Sequence, residues 1–153
     1  MRVSIVAVGR ARKGPESALY EHFAGRLIAW PLSLREVEPK KRVAPDKLKA
    51  IEAELLLAAI PDGATVIALD ERGRQHSSVD LARRIGDWRD TATADLVFVI
   101  GGADGLDDSV RARADLLLSL GAATWPHMLV RGMLAEQLYR SQQILAGHPY
   151  HRE

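Results

Sequence analysis

The 153-residue sequence contains no cysteine, which excludes at once a disulfide framework, a thiolate zinc site, an iron–sulfur cluster and a cysteine nucleophile. It has no apolar run near the roughly 18 residues that a membrane helix requires. Nor does it open like a secreted chain. MRVSIVAVGRARKG offers one apolar stretch of strand length and then a basic loop, without the long apolar segment and small-residue cleavage site of a signal peptide. A cytoplasmic protein without a membrane partner is the expectation. Repeats, low-complexity tracts and linkers are missing, and no metal site is expected. Net charge is nearly missing too, at 21 Lys+Arg against 20 Asp+Glu, a balance that on its own argues against a nucleic-acid binder.

What is present suits a folded chain. With 47% hydrophobic and 27% charged residues, the length fits a single domain, 1–153, whose core needs no staples. The charge is unevenly spread: residues 1–50 hold 11 basic and 5 acidic side chains, residues 51–100 hold 5 and 9, and residues 101–153 hold 5 and 6. Such polarity can focus an anionic partner on one face, and Lys40, Lys41 and Arg42 form its densest run.

Apolar periodicity predicts alternating elements. Val3 to Val8 reads as a β-branched strand ending at Gly9. Pro15 opens a helix through PESALYEHFAGRLIAW, with Leu19, Phe23 and Leu27 four apart. An extended PLSLREVE precedes the basic loop PKKRVAPD, and a helix follows whose stripe is Leu48, Ile51, Leu55 and Ala59. ATVIALD (64–70) reads as a buried parallel strand bounded by Arg72-Gly73, and Ser77 or Ser78 caps a helix bearing Leu81, Ile85 and Trp88. DLVFVIGG, the helix DDSVRARA, the strand LLLSLG and a long helix from about 126 to 146 complete the chain. The expected fold class is α/β, a mostly parallel sheet with helices on both faces.

Ligands of such sheets bind at the carboxyl ends of strands, so three places matter: Leu69-Asp70, Gly101-Gly102 and Leu120-Gly121. The turn IGGADGL lets a ligand approach backbone N–H groups, but it matches neither G-x-G-x-x-G nor a phosphate loop. In LGAATWPH, small side chains expose backbone groups able to read a purine edge. His127 falls in the first turn of the last helix, whose dipole favours the neutral imidazole. That helix is apolar on more than one face, which suggests a subunit contact. The tail HPYHR is aromatic and basic, fit for stacking on a base and touching a phosphate, although fraying is the commoner fate of a terminus.

Taken together, IGGADGL, SLGAATWPHMLVR and EQLYRSQQILAGHPYHRE, with the opening VAVG and the VIALDERG segment, resemble the bacterial ribosomal large-subunit pseudouridine N3-methyltransferases of the SPOUT superfamily over essentially the whole chain. The resemblance implies a C-terminal trefoil knot and a homodimer. It also implies S-adenosylmethionine-dependent methylation of N3 of a pseudouridine in helix 69 of 23S rRNA, on assembled ribosomes. Carried over by position, the cofactor contacts are Leu69, Gly101, Leu120, Gly121, Ala122, Ala123, Thr124 and Trp125. Candidate bases for the N3 proton are His127, Glu136 and His151. Arg131, Arg140, Tyr150, His151 and Arg152 are candidates for substrate contact. Three positions depart from the usual pattern: Gly121 where serine is frequent, Gly132 where a β-branched residue is common, and Ser141 where alanine is common. Rival expectations are a SPOUT enzyme acting on tRNA, usually with a further RNA-binding domain, and a non-catalytic nucleotide-binding module of the ribosome.

Overall fold

The computed structural model describes residues 1–152. Its element order is β1 (Arg2–Val8), α1 (Pro15–Ala24), β2 (Leu32–Val37), α2 (Pro45–Ala59), β3 (Thr65–Gln75), α3 (Ser78–Asp90), β4 (Asp95–Ile100), α4 (Asp108–Arg113), β5 (Leu116–Ser119) and α5 (His127–Leu145). The five strands form one sheet in the order β2-β1-β4-β3-β5, and every pairing is parallel. Central strands in such a sheet are buried on both sides, so their side chains divide by parity. Val3, Ile5 and Ala7 of β1 and Leu96, Phe98 and Ile100 of β4 enter one core with residues of α3 and α5. Val6, Val8, Val97 and Val99 enter the other with Ala53 and Leu56 of α2 and Val110 of α4. Helices thus cover both faces, as the alternating pattern required.

Four local expectations change. Helix α1 ends at Ala24 instead of running to Trp30; residues 25–31 form a loop whose Ile28 and Ala29 N–H groups both donate to Gln142 Oε1 at 2.9 Å, which lets Leu27 and Trp30 turn into the core. The buried face of α2 is Glu52, Ala53, Leu56 and Ala59, rotated from the expected stripe. Three successive leucines, 55 to 57, leave the phase undetermined, and the small Ala53 and Ala59 allow close approach to the sheet.

Strand β3 continues past Asp70 to Gln75. Leu118 of β5 pairs with Leu69 and again with Arg74, so residues 70–73 bulge out of the ladder. Gly73 makes this possible, since a Cβ there would lie 2.6 Å from the Leu117 carbonyl carbon. Finally, α5 is apolar on two sides because it lies between α1 and α3 on the sheet; its buried residues run from Val130 to Ser141 around much of its circumference. Burial within the chain accounts for the breadth that suggested a subunit contact. Gly132 belongs to this packing: a Cβ there would come within 2.7 Å of Leu19 Cδ2, so glycine lets α1 and α5 close up at a helix-propensity cost of about 1 kcal/mol.

Candidate active site

Because all strands are parallel, every loop that follows one leaves from the same edge of the sheet. With the bulge of β3, the loops at the ends of β4 and β5 enclose a cleft of about 340 Å³, within the range of small-molecule sites. Its walls include Leu69, Gly101, Leu120, Gly121, Ala123, Thr124 and Trp125. Seven of the eight positions marked for cofactor contact therefore meet around one space; Ala122 lies in the same loop without lining it. Gly121 holds φ at +106°, a left-handed conformation that a serine would strain, and its N–H donates to Ser119 Oγ at 3.2 Å. Gly101 packs so tightly under Leu106 that a Cβ would fall 2.9 Å from Leu106 Cδ2. Trp125 is 42% exposed at the rim.

Asp70, marked only as a strand end in the sequence, and Arg111, which the sequence reading missed, frame this cleft. Asp70 and Arg111 both line it, and Arg111 Nε donates to Asp70 Oδ2 at 2.7 Å with the carboxylate side chain only 3% exposed. The second oxygen of Asp70 accepts from the Arg72 N–H. This buried pair ties the end of β3, where the bulge begins, to α4, which follows the glycine turn. The only trace of it in the sequence is Asp70 at a strand end; its partner is 41 residues away and belongs to a helix short enough to look unimportant.

His127 stands at the edge of the cleft at the start of α5. Burial, and then the positive charge of Arg131, hold its pKa below the ordinary histidine value, so the ring is neutral at pH 7 and can accept a proton. The other two base candidates are elsewhere. Glu136 accepts from Arg140 and from Tyr150 Oη (3.1 Å) through one oxygen and from Gln137 Nε2 (2.8 Å) through the other. Both oxygens are thus occupied, one of them in anchoring the tail. His151 sits on that same cluster, its Nδ1 3.3 Å from Arg140 Nη1.

The substrate candidates separate in the same way. Arg140, Tyr150 and His151 do come together: the Arg140 guanidinium lies 4.8 Å from the Tyr150 ring centroid, and Tyr150 meets Tyr139 edge to face. The described tail is folded back on α5. Arg152 is exposed beyond it. Arg131 is a correction. It is 2% exposed, paired with Glu36 at 2.7 Å, and it donates to the Val8 and Gly9 carbonyls at 2.9 and 2.7 Å. Its position one helical turn after His127 placed it near the cleft in sequence, but its charge is spent on holding the end of β1 against α5 and does not face a ligand.

A parallel α/β sheet with a bulged third strand and a cleft lined from the 69–72, 100–106 and 118–130 segments fits a SPOUT methyltransferase. A family model described as Predicted SPOUT methyltransferase matches residues 1–151, and the chain belongs to that family. The relatives are more particular: a protein of Rhodospirillum centenum named ribosomal RNA large subunit methyltransferase H is 65% identical, covering 99% of both chains. One of the same name from Paramagnetospirillum magneticum is 59% identical, also over 99% of both. Among solved structures, a probable methyltransferase from Bordetella pertussis Tohama I superposes with a TM-score of 0.61 at 14% identity, over 92% of this chain and 95% of that one, a likeness of fold.

Proposed function

We propose that this single-domain protein (1–153) uses S-adenosylmethionine to methylate N3 of a pseudouridine in helix 69 of 23S rRNA, on assembled ribosomes in the cytoplasm. The observation that carries this reading is the convergence on one cleft of seven cofactor positions drawn from three strand ends. The names of the relatives support the rRNA substrate. When bound, the cofactor supplies an electrophilic methyl on a sulfonium. The backbone of 120–124 would hold its purine, the 101–105 turn would accept its polar end, and the Asp70–Arg111 pair would keep the two walls in register.

His127 is the base candidate at the cleft, placed to take the imide proton as N3 accepts the methyl group. Arg140, Tyr150, His151 and Arg152 would hold the RNA through stacking and charge. The knotted C-terminal path belongs to the same proposal and is supported by the family match over residues 1–151. So does a homodimer, supported by a second hollow, about 490 Å³, that α1, α3 and α5 leave lined by Leu19, Phe23, Leu120 and Met133.

Mass spectrometry of helix 69 fragments from cells lacking the protein tests the substrate. An unmethylated pseudouridine, restored by adding protein to whole ribosomes but not to naked rRNA, is the expected result. Calorimetry showing no binding of S-adenosylmethionine to the pure protein would overturn the enzyme reading in favour of a non-catalytic module.

A further inference from the structure

Strands β1 and β2 end flush, with Val8 opposite Val37 and the Gly9 N–H donating to the Val37 carbonyl at 2.8 Å. The loops that follow, 9–14 and 38–44, therefore leave the sheet side by side on the edge that carries the cofactor cleft. They hold Arg10, Arg12, Lys13, Lys40, Lys41 and Arg42 against one carboxylate, Glu38. Glu38 is paired with Arg10 at 2.9 Å. The other five cations are exposed, and among the described residues none of them has an ion-pair partner. Extending the count into the first turns of α1 and α2 adds Glu16 and Asp46 but also Lys47 and Lys49, so the excess stays positive.

Below the first of these loops lies a hollow of about 1170 Å³, bordered by Arg12, Lys13, Glu36, His127 and Arg131. Glu36 Oε2 is bound by Arg131 and the Ala11 N–H, and Glu16 and Glu21 also border the hollow, so the positive excess lies in the loops above it and not in its floor. His127 borders this hollow and the cofactor cleft alike, so the two spaces meet at the one imidazole. From β4 to β2 is two strand spacings, about 10 Å, so the basic loops stand beside the cleft at a distance comparable to one or two nucleotides.

We infer that the β1–α1 and β2–α2 loops form a docking crest for RNA backbone phosphates on either side of the methylated nucleotide, carried by Arg12, Lys13, Lys40, Lys41 and Arg42. This rests on the proposed rRNA methyltransferase function and adds to it the surface that grips the RNA. It also explains how a chain with a net charge of +1 can hold a polyanion: the excess is gathered at one edge and balanced by acidic segments elsewhere.

The test is equilibrium binding of the purified full chain to ribosomes across a salt series, for the wild type and two variants: Lys40→Gln/Lys41→Gln/Arg42→Gln and Arg12→Gln/Lys13→Gln. Each lost phosphate contact makes the slope of log K on log salt less negative by about 0.7 to 0.9. The expected change is therefore about 2.4 for the triple variant and about 1.6 for the double. Calorimetric affinity for S-adenosylmethionine should stay unchanged, as should binding by the control Arg83→Gln/Arg89→Gln, whose cations already pair with Asp80 and Asp90. Wild-type slopes in both crest variants overturn the proposal. So does weakened binding at an unchanged slope, the mark of a protein contact. A wild type that neither binds cofactor nor methylates would instead sink the parent function.

Discussion

Replacing Arg131 with methionine removes a guanidinium that is 2% exposed while keeping much of its volume. The change strips the ion-pair partner from Glu36 and leaves the Val8 and Gly9 carbonyls without their donor. Removing one member of a buried pair costs about 3–5 kcal/mol. The Glu36 side chain is 29% exposed and keeps the Ala11 N–H, so the lower end, about 3 kcal/mol, is the appropriate figure. For a domain of this size each kcal/mol moves Tm by about 2–4 °C, which gives a drop of about 6–12 °C in a thermal melt.

Adding Glu36→Gln should recover part of the loss, because the orphaned charge disappears with it. Glu36 also fixes the pH dependence. Burial pushes its pKa up, but the Ala11 N–H and Arg131 outweigh that and hold it below the ordinary value. The stabilisation is then present above the usual carboxylate range and lost as pH falls through the depressed value, so wild type and Arg131→Met should converge in acid. A variant that melts within 2 °C of wild type yet fails to methylate ribosomes would refute the structural role and return Arg131 to the substrate.

Three further outcomes are expected. Asp70→Asn should weaken S-adenosylmethionine binding about tenfold by calorimetry, since loss of a charged hydrogen bond of about 1.5–3 kcal/mol loosens the two walls of the cleft; unchanged affinity would deny the pair its positioning role. Gly73→Ala should prevent normal folding or lower Tm by at least about 6–12 °C (roughly 3 kcal/mol or more of overpacking), because its Cβ meets backbone and not a movable side chain, whereas Gly14→Ala, with only ordinary contacts, should melt like wild type. His127, held below the normal histidine value by burial and by Arg131, should leave kcat/KM flat down to about pH 6.5 and produce an acid limb only below it. That limb should vanish in His127→Gln, and a break above pH 6.5 would contradict its assignment as base.

The alternation of strands and helices was legible because each element carries its own signal. β-branched runs such as VSIVAV and LVFVI end at glycine, prolines open α1 and α2, and Ser77 caps α3 with its Oγ accepting the Asp80 N–H. Strand-end chemistry was legible as well, since a parallel sheet sends ligands to one edge and only a few loops there are built of small residues. The α2 stripe and the length of α1 were misread where local pattern underdetermines phase or stop: three leucines in succession in one case, and in the other a loop pinned by Gln142, which lies more than a hundred residues away.

Local sequence, through propensity, capping and period, thus determined which segments of this protein are strands, which are helices, and which strand ends could hold a ligand. Tertiary structure alone decided what the polar side chains do. Arg131 looks like a substrate contact and Glu136 like a catalytic base in the sequence, and they become a strand clamp and a tail anchor because burial forces a charged group to find partners nearby. Asp70 and Arg111 look incidental, yet packing brings them together as the brace of the cleft. Charges act over distances of a few ångströms, and only the fold sets which residues stand that close.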